Sequence, residues 1–281
     1  MKFTPKQLSG NVNVSRTHPL VELFWLLAGI VMLGGLFIFA LGFTTDWAAR
    51  KAPLSIEKWI GRQTLKQFPG EDNPALSQRL QALLTTASSE ERLQRYPFRI
   101  LVLDRDDVNA LALPGGTIVI FSGLLDEITS ENELMMVIGH ELGHFAQRDH
   151  LRGLGRGLGI AIATTMIFGQ DSGFSDLVAK AVLPIQAGYS QQQERAADRF
   201  ALDLLARHYG HCGGATDFFV RHATTSGPQI AYLLASHPHP QARIDDLNRI
   251  IASKHYTLLA PQPLGEDLRH RQSDPPASPT H

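Results

Sequence analysis

The chain has 281 residues, 43% of them hydrophobic and 19% charged, with a formal net charge of −1. That length suits one large domain or two small ones, and the apolar content supports a core. A near-neutral chain has no electrostatic footprint for nucleic acid, and the single Cys212 excludes an intrachain disulfide framework or a cysteine-rich metal site.

Residues 1–19 form a short polar segment with Lys2, Lys6 and Arg16. From Leu23 to Phe43 the chain is uncharged, and at 1.5 Å per residue that run covers about 30 Å, the hydrocarbon thickness of a bilayer. Trp25 near one end and Trp47 past the other suit interfacial anchoring. A cleavable leader is disfavoured, because the run is long, starts late and lacks a small-x-small cleavage site. A buried core helix is disfavoured because such helices rarely stay apolar on every face. The sequence predicts one transmembrane anchor over residues 20–47, touching the lipid bilayer through 23–43. Arg50, Lys51 and Lys58 follow the span, so the flanking positive charges nearly balance. The expected orientation is a basic N-terminus inside, with the bulk of the chain extracytoplasmic.

Residues 48–70 read as a stalk or juxtamembrane helix, with Ile56, Trp59, Ile60 and Leu65 at amphipathic spacing and Pro69-Gly70 as the stop. The folded domain is predicted over 71–258. Pro74 opens a helix with Leu76, Leu80, Leu83 and Leu84 on one face, and both helices are expected simply to pack on the domain. The period then changes. Arg99–Leu103, Val108–Leu113 and Thr117–Phe121 read as strands, the last two flanking the turn signal Pro114-Gly115-Gly116. A mainly helical α+β domain with a small antiparallel sheet follows. Asp104, Asp106 and Asp107 read as a solvated loop, since the spacing of a calcium loop is absent.

Ser130 and Glu133 have the spacing of a capping box, which starts a helix just after Ser130. Its second half carries His140-Glu141-Leu142-Gly143-His144, an H-E-x-x-H motif. At 3.6 residues per turn, His140 and His144 share one helix face. Two neutral imidazoles there can hold Zn²⁺, with Glu141 beside them to deprotonate a water. The bland alternative is two ordinary helix-face histidines and a glutamate. Residues 151–169, rich in glycine, are too short in their uncharged part to span a bilayer and read as a buried or membrane-surface hairpin element. Ser190 to His208 is a second strong helix, stopped by Gly210. A later helix covers Gln241 to Ser253, and residues 259–281, rich in Pro and His, are expected to be a disordered tail. His150 with Asp149 is expected off the ligand face, and His208, His211, His222, His239 and the tail histidines are expected at the surface.

A catalytic zinc site takes three protein ligands and one open position. The second helix offers the third ligand, Glu194, within Glu194-Arg195-Ala196-Ala197-Asp198. Asp198, one turn on, could accept the free N–H of a ligand imidazole and fix its tautomer.

Together, H-E-L-G-H and E-R-A-A-D resemble the HtpX and CAAX prenyl endopeptidase family of gluzincin zinc metallopeptidases (metallopeptidase family forty-eight), which includes membrane-anchored bacterial quality-control proteases. Asn109-Ala110 with Pro114-Gly115-Gly116 resembles its N-A-x-A-x-P-G-G segment, and Ser236-His237-Pro238 with Arg243 resembles its S/T-H-P-x-x-x-x-R segment. The resemblance covers about residues 70–255. The best-known members carry several spanning helices where one is found here, so their intramembrane substrate chamber and prenylated substrates are not carried over.

The resemblance implies a zincin-like fold and one Zn²⁺ per chain on His140, His144 and Glu194, with Glu141 as general base. His237 could donate to the oxyanion, or reach the metal as a fourth ligand and shut the site. Arg243 could brace Asp198 or Glu194. The strand Asn109, Ala110, Leu111, Ala112 could bind an extended substrate by backbone pairing, or be an ordinary core hairpin. The function implied is a membrane-anchored zinc endopeptidase acting on unfolded, misassembled or membrane-associated polypeptides. The alternatives are a zinc-containing chaperone or scaffold that binds clients with little turnover, and a purely structural zinc site.

Overall fold

The computed structural model describes residues 18–153, 155, 188–223 and 227–268. Most of the polar N-terminal segment, of the glycine-rich 151–169 element and of the Pro/His-rich tail lies outside them. In chain order the helices are α1 Pro19–Lys51, α2 Leu54–Leu65, α3 Pro74–Thr86, α4 Ser122–Glu127, α5 Glu131–Gln147, α6 Gln191–Tyr209, α7 Asp217–His222, α8 Pro228–Ser236 and α9 Pro240–Lys254. The strands are β1 Glu71–Asp72, β2 Arg99–Leu103, β3 Ala110–Leu113 and β4 Thr117–Phe121.

The chain divides into two compact units at Thr44/Thr45. The first contains most of α1, whose stretch Pro19–Phe37 is long and apolar enough to cross a membrane and has no buried residue. It is a candidate membrane anchor.

In the second unit the strand order is β1-β2-β4-β3. The β3–β4 hairpin is antiparallel as expected, and its turn holds Gly115 and Gly116 at φ 88° and 97°, which only glycine adopts freely. The sheet is nevertheless mixed rather than antiparallel, because β2 and β4 run parallel with Ile100 opposite Ile118. β4 inserts between β2 and β3, and hydrophobic periodicity does not encode that order. Both central strands are buried and rich in Ile and Val, as parallel strands covered on two faces tend to be. Ile100, Val102, Ala110, Ala112, Ile118 and Ile120 face the main core with α3, α5 and α6. Leu103, Leu111, Leu113, Val119 and Phe121 form a smaller cluster with Phe68 on the other face.

α5 runs through the middle of the domain, buried from Asn132 to Ala146. Ser130 Oγ caps it by accepting from Glu133 N–H at 3.2 Å. The Glu133 carboxylate reaches one residue further back than expected, accepting from Thr129 N–H at 2.9 Å and from Arg221 Nη2 at 2.8 Å. α6 begins with the reciprocal capping box of Ser190 and Gln193 and ends at Gly210, φ 74°. The two helices come very close. A Cβ on Gly143 would lie 2.8 Å from Ala197 Cα, and one on Gly139 3.3 Å from Ala201 Cα.

Two expectations are corrected here. The buried face of α2 is Glu57, Gly61 and Thr64, while Ile56 and Trp59 are 50% and 42% exposed. The reason is the docking surface: Gly61 sits against the Pro114 carbonyl, and Glu57 accepts from His150 Nε2 at 2.7 Å, Arg148 Nη2 at 2.9 Å and the Tyr96 hydroxyl at 3.0 Å. Burial pushes the Glu57 carboxyl up, but His150, Arg148 and Tyr96 together outweigh it and hold it down at about 2. Likewise, the tail does not leave the domain at 259. Pro263 bridges Ser130, Leu264 and Leu268 are buried, and Asp267 accepts from Arg79 Nη1 at 2.8 Å.

Gly143→Ala should lower the thermal midpoint more than Gly139→Ala. Overpacking costs about 1–3 kcal/mol against the roughly 1 kcal/mol that alanine gains in a helix. Equal midpoints would show that the α5–α6 contact yields easily. The depressed Glu57 carboxyl contributes stability that is whole above the unfolded carboxylate value and lost as pH falls towards about 2. On the linkage scale that is on the order of 3 kcal/mol. Acid titration of unfolding should therefore be flatter in Glu57→Gln than in the wild type, and parallel curves would refute the assignment.

Candidate metal centre

The close α5–α6 contact sets His140 and His144 opposite Glu194 and Asp198. Glu194 Oε1 is 3.5 Å from His144 Nε2, and its Oε2 is 3.6 Å from His140 Nε2. His237, at the C-cap of α8, completes a group with His140, His144 and Glu194 whose ligand atoms all lie within 4.8 Å of one another. All four side chains are buried.

Hydrogen bonding assigns the rings. His140 Nδ1 lies 2.8 Å from Asp198 Oδ1, and His144 Nδ1 lies 3.0 Å from Asp149 Oδ2. Burial raises both carboxyls, but Arg243 and His140 outweigh it at Asp198, held at about 2, and His144 outweighs it at Asp149. An ionised carboxylate only accepts, so each Nδ1 is a donor and each neutral ring keeps its lone pair on Nε2. The two Nε2 atoms face each other at 3.0 Å, with the Glu194 carboxylate beside them. Converging lone pairs repel unless a cation or a proton lies among them.

The charge balance says the same. Among the described residues, Glu141, Glu194 and Asp198 are buried with one buried guanidinium, that of Arg243, while Asp149 pairs with His144 and, at 3.3 Å, with Arg152. Arg243 donates to Asp198 through Nε at 2.8 Å and Nη2 at 2.6 Å, and its Nη1 is 3.0 Å from Glu194 Oε2. It also lies over the Phe219 ring, 4.3 Å from its centroid. Burial pushes the His144 imidazole down, yet Asp149 and Glu194 hold its pKa up to about 10. Burial and Arg243 push that of His140 down. The donor set fits one Zn²⁺, which would take the place of that stored proton.

Glu141 is buried, and its Oε2 has no hydrogen-bond partner among the described residues. Its carboxylate lines a cavity of about 20 Å³ shared with Ala110, His140, Phe218 and His237, room for a single water. The strand expected to bind substrate is at the sheet edge, but Asn109, Ala110, Leu111 and Ala112 are each no more than 5% exposed. Asn109 Oδ1 accepts from Ala110 N–H at 2.9 Å and from Ser236 Oγ at 3.3 Å, tying the strand to α8.

Several site residues escaped the sequence reading. Asp149, expected off the ligand face, is the hydrogen-bond partner of His144, and Gln193 Nε2 donates to its other oxygen at 2.8 Å. Tyr189 stacks on His144, centroids 3.8 Å apart. His211 and His222 are buried rather than at the surface, and His150 is buried too. His150 is held by Glu57, Gly213 N–H donates to His211 Nδ1, and His222 packs edge-on to Phe218. A carboxylate five residues beyond the second histidine was the readable signal for Asp149. Asp149→Asn should weaken zinc binding about 10- to 100-fold in competition with a chromophoric chelator while circular dichroism stays unchanged. Unaltered affinity would show that His144 needs no such partner.

Residues 72–251 match the family described as Peptidase family M48. The metalloprotease YcaL of Escherichia coli (strain K12) is 31% identical over 163 residues, covering 56% of this chain and 63% of that protein. The metalloprotease LoiP of the same strain is 34% identical over 155 residues, 52% of this chain and 60% of that protein. The beta-barrel assembly-enhancing protease of Yersinia pestis is 28% identical over 200 residues, 66% of this chain and 41% of that protein. The chain thus spans less than two thirds of each of these relatives. With the family match running through the helices that carry His140, His144 and Glu194, the chain belongs to peptidase family M48, the zinc-dependent metalloproteases.

Proposed function

We propose that this chain is a membrane-anchored zinc endopeptidase that cleaves unfolded or misassembled polypeptides. The observation that carries the reading is the orphan Glu141 Oε2, beside two converging imidazole lone pairs and a cavity sized for one water. Binding or a structural role alone needs no such base. Zinc held by His140, His144 and Glu194 supplies Lewis acidity and a water of lowered pKa.

Glu141 Oε2 takes a proton from the attacking water as its oxygen bonds to the scissile carbonyl carbon. The same carboxyl then gives that proton to the amine nitrogen as the C–N bond breaks. Asp198 and Asp149 keep the ligand rings in the tautomer that leaves Nε2 free, and Arg243 holds Asp198 and Glu194 in place. His237 has Nδ1 3.2 Å from His140 Nε2 and 3.1 Å from Glu194 Oε1. We assign it as a gate that, swung outward, can donate to the developing oxyanion. Substrate would then pair along β3, whose Ala110 already lines the Glu141 cavity. Backbone pairing reads shape more than sequence and suits varied clients.

In this reading residues 20–47 anchor a catalytic domain that begins near residue 71 and lies outside the cytoplasm. One relative is named for enhancing β-barrel assembly, and membrane proteins that fail to assemble are the client class extended here. Glu141→Gln should lower casein cleavage by about 10²–10⁴-fold with zinc content unchanged. Chelator should abolish wild-type cleavage, and added Zn²⁺ should restore it. Equal cleavage by wild type and variant would refute the mechanism. Loss of fold on chelation would favour a structural zinc.

A further inference from the structure

Away from the metal, a cavity of about 370 Å³ opens where α1 meets α2. Its wall brings together Lys51, Arg92, Arg95 and Arg148, with Glu57 the one acidic residue lining it among the described residues. Glu57 is already committed to His150, Arg148 and Tyr96. The wall therefore carries excess positive charge. Arg92 is tethered by one nitrogen to the Ala146 carbonyl at 2.6 Å, and Arg148 to the Ala52 carbonyl at 2.7 Å. The carbonyl holds Arg92 in place without neutralising it, whereas Arg148 is also paired with Glu57 at 2.9 Å.

Charge, depth and neighbouring surface point to one occupant. Guanidinium groups brought together favour a phosphate, which they can grip with paired hydrogen bonds. Lys51 closes α1 about two turns beyond the uncharged run that ends at Phe43, and two turns carry a helix roughly 11 Å, out of hydrocarbon and into headgroups. On α2, Ile56 and Trp59 lie one turn apart and stay exposed. An exposed Trp beside an aliphatic residue prefers the membrane–water interface. We propose that this cavity seats the phosphate of an anionic phospholipid, with Ile56 and Trp59 resting at the base of the acyl chains. An occupant would bridge the anchor junction, the Arg92–Arg95 turn and Arg148 at the end of α5. Arg148 is the residue next to Asp149, the partner of His144.

The inference takes the membrane-anchored reading as its source of lipid, and its test is independent of that reading. Full-length protein in a neutral detergent is titrated with short-chain phosphatidylglycerol, short-chain phosphatidylcholine and inorganic phosphate, and thermal unfolding is followed. Phosphatidylglycerol should raise the midpoint saturably, and phosphatidylcholine should not. Arg92→Gln/Arg95→Gln should bind phosphatidylglycerol about tenfold or more weakly, with casein cleavage unchanged. Lys51→Gln/Arg95→Gln, which spares the Arg92 tether, should show the same loss. Equal response to the two lipids, or equal binding by wild type and both variants, would overturn the proposal. Inorganic phosphate acting as strongly as the lipid would overturn the lipid assignment. Flotation with phosphatidylcholine vesicles tests the anchor separately, and its failure would leave the short-chain result standing.

Discussion

How near α5 can come to α6 decides the rest of the site. Ordinary helix pairs keep their axes 8–10 Å apart because side chains fill the gap. Here glycines at 139 and 143 meet alanines at 201 and 197, and backbone approaches backbone. Three of these four residues are sequence neighbours of functional ones: Gly139 precedes His140, Gly143 precedes His144, and Ala197 precedes Asp198. The packing interface and the chemical face are offset by about one residue, about 100° of helical turn. A helix pair that must converge a carboxylate and two imidazoles on one small ion therefore spends its smallest residues on the adjacent stripe.

That proximity concentrates charge which the protein alone does not balance. Glu141, Glu194 and Asp198 share one buried arginine, and the Nε2 atoms of His140 and His144 meet at 3.0 Å. A buried array of this kind costs stability unless its partners are complete. The second tier of contacts keeps it in register: Arg243 grips both carboxylates of α6 from α9, and Gln193 braces Asp149 from the first turn of α6. A metal held there would complete the balance of charge as well as supply Lewis acidity.

Much of this was legible in the sequence wherever a function rides on helical periodicity. His140, Glu141 and His144 follow from their spacing, and Glu194 and Asp198 follow from needing a third ligand and an orienting acceptor one turn apart. Resemblance alone brought in His237 and Arg243, since neither lies on the two metal helices. Asp149 was missed because it follows Arg148, a non-glycine residue at φ 59° that turns the chain back towards α5. Spacing rules for a regular helix do not describe that turn. Glu57 was missed because an amphipathic helix is assumed to bury its apolar face, whereas α2 docks on cations and a carbonyl. Strand order and the packed tail escaped for a shared reason: both depend on which surfaces are left for late segments to cover.

One small stitch has a mechanical consequence. Tyr189 N–H donates to the Ser236 carbonyl at 3.0 Å, and Gly188 packs against the Ala235 carbonyl. The residue that stacks on His144 is thereby fastened to the turn that carries His237. Ser190, next in line, is the N-cap of α6. Any outward swing of His237 pulls on this three-residue tether, so either Tyr189 leaves its stack or the stitch breaks. Opening of such a door is closer to a latch than to a hinge: it holds until several contacts fail together. Thermal jitter alone would then not free the side of the Glu141 cavity that His237 lines.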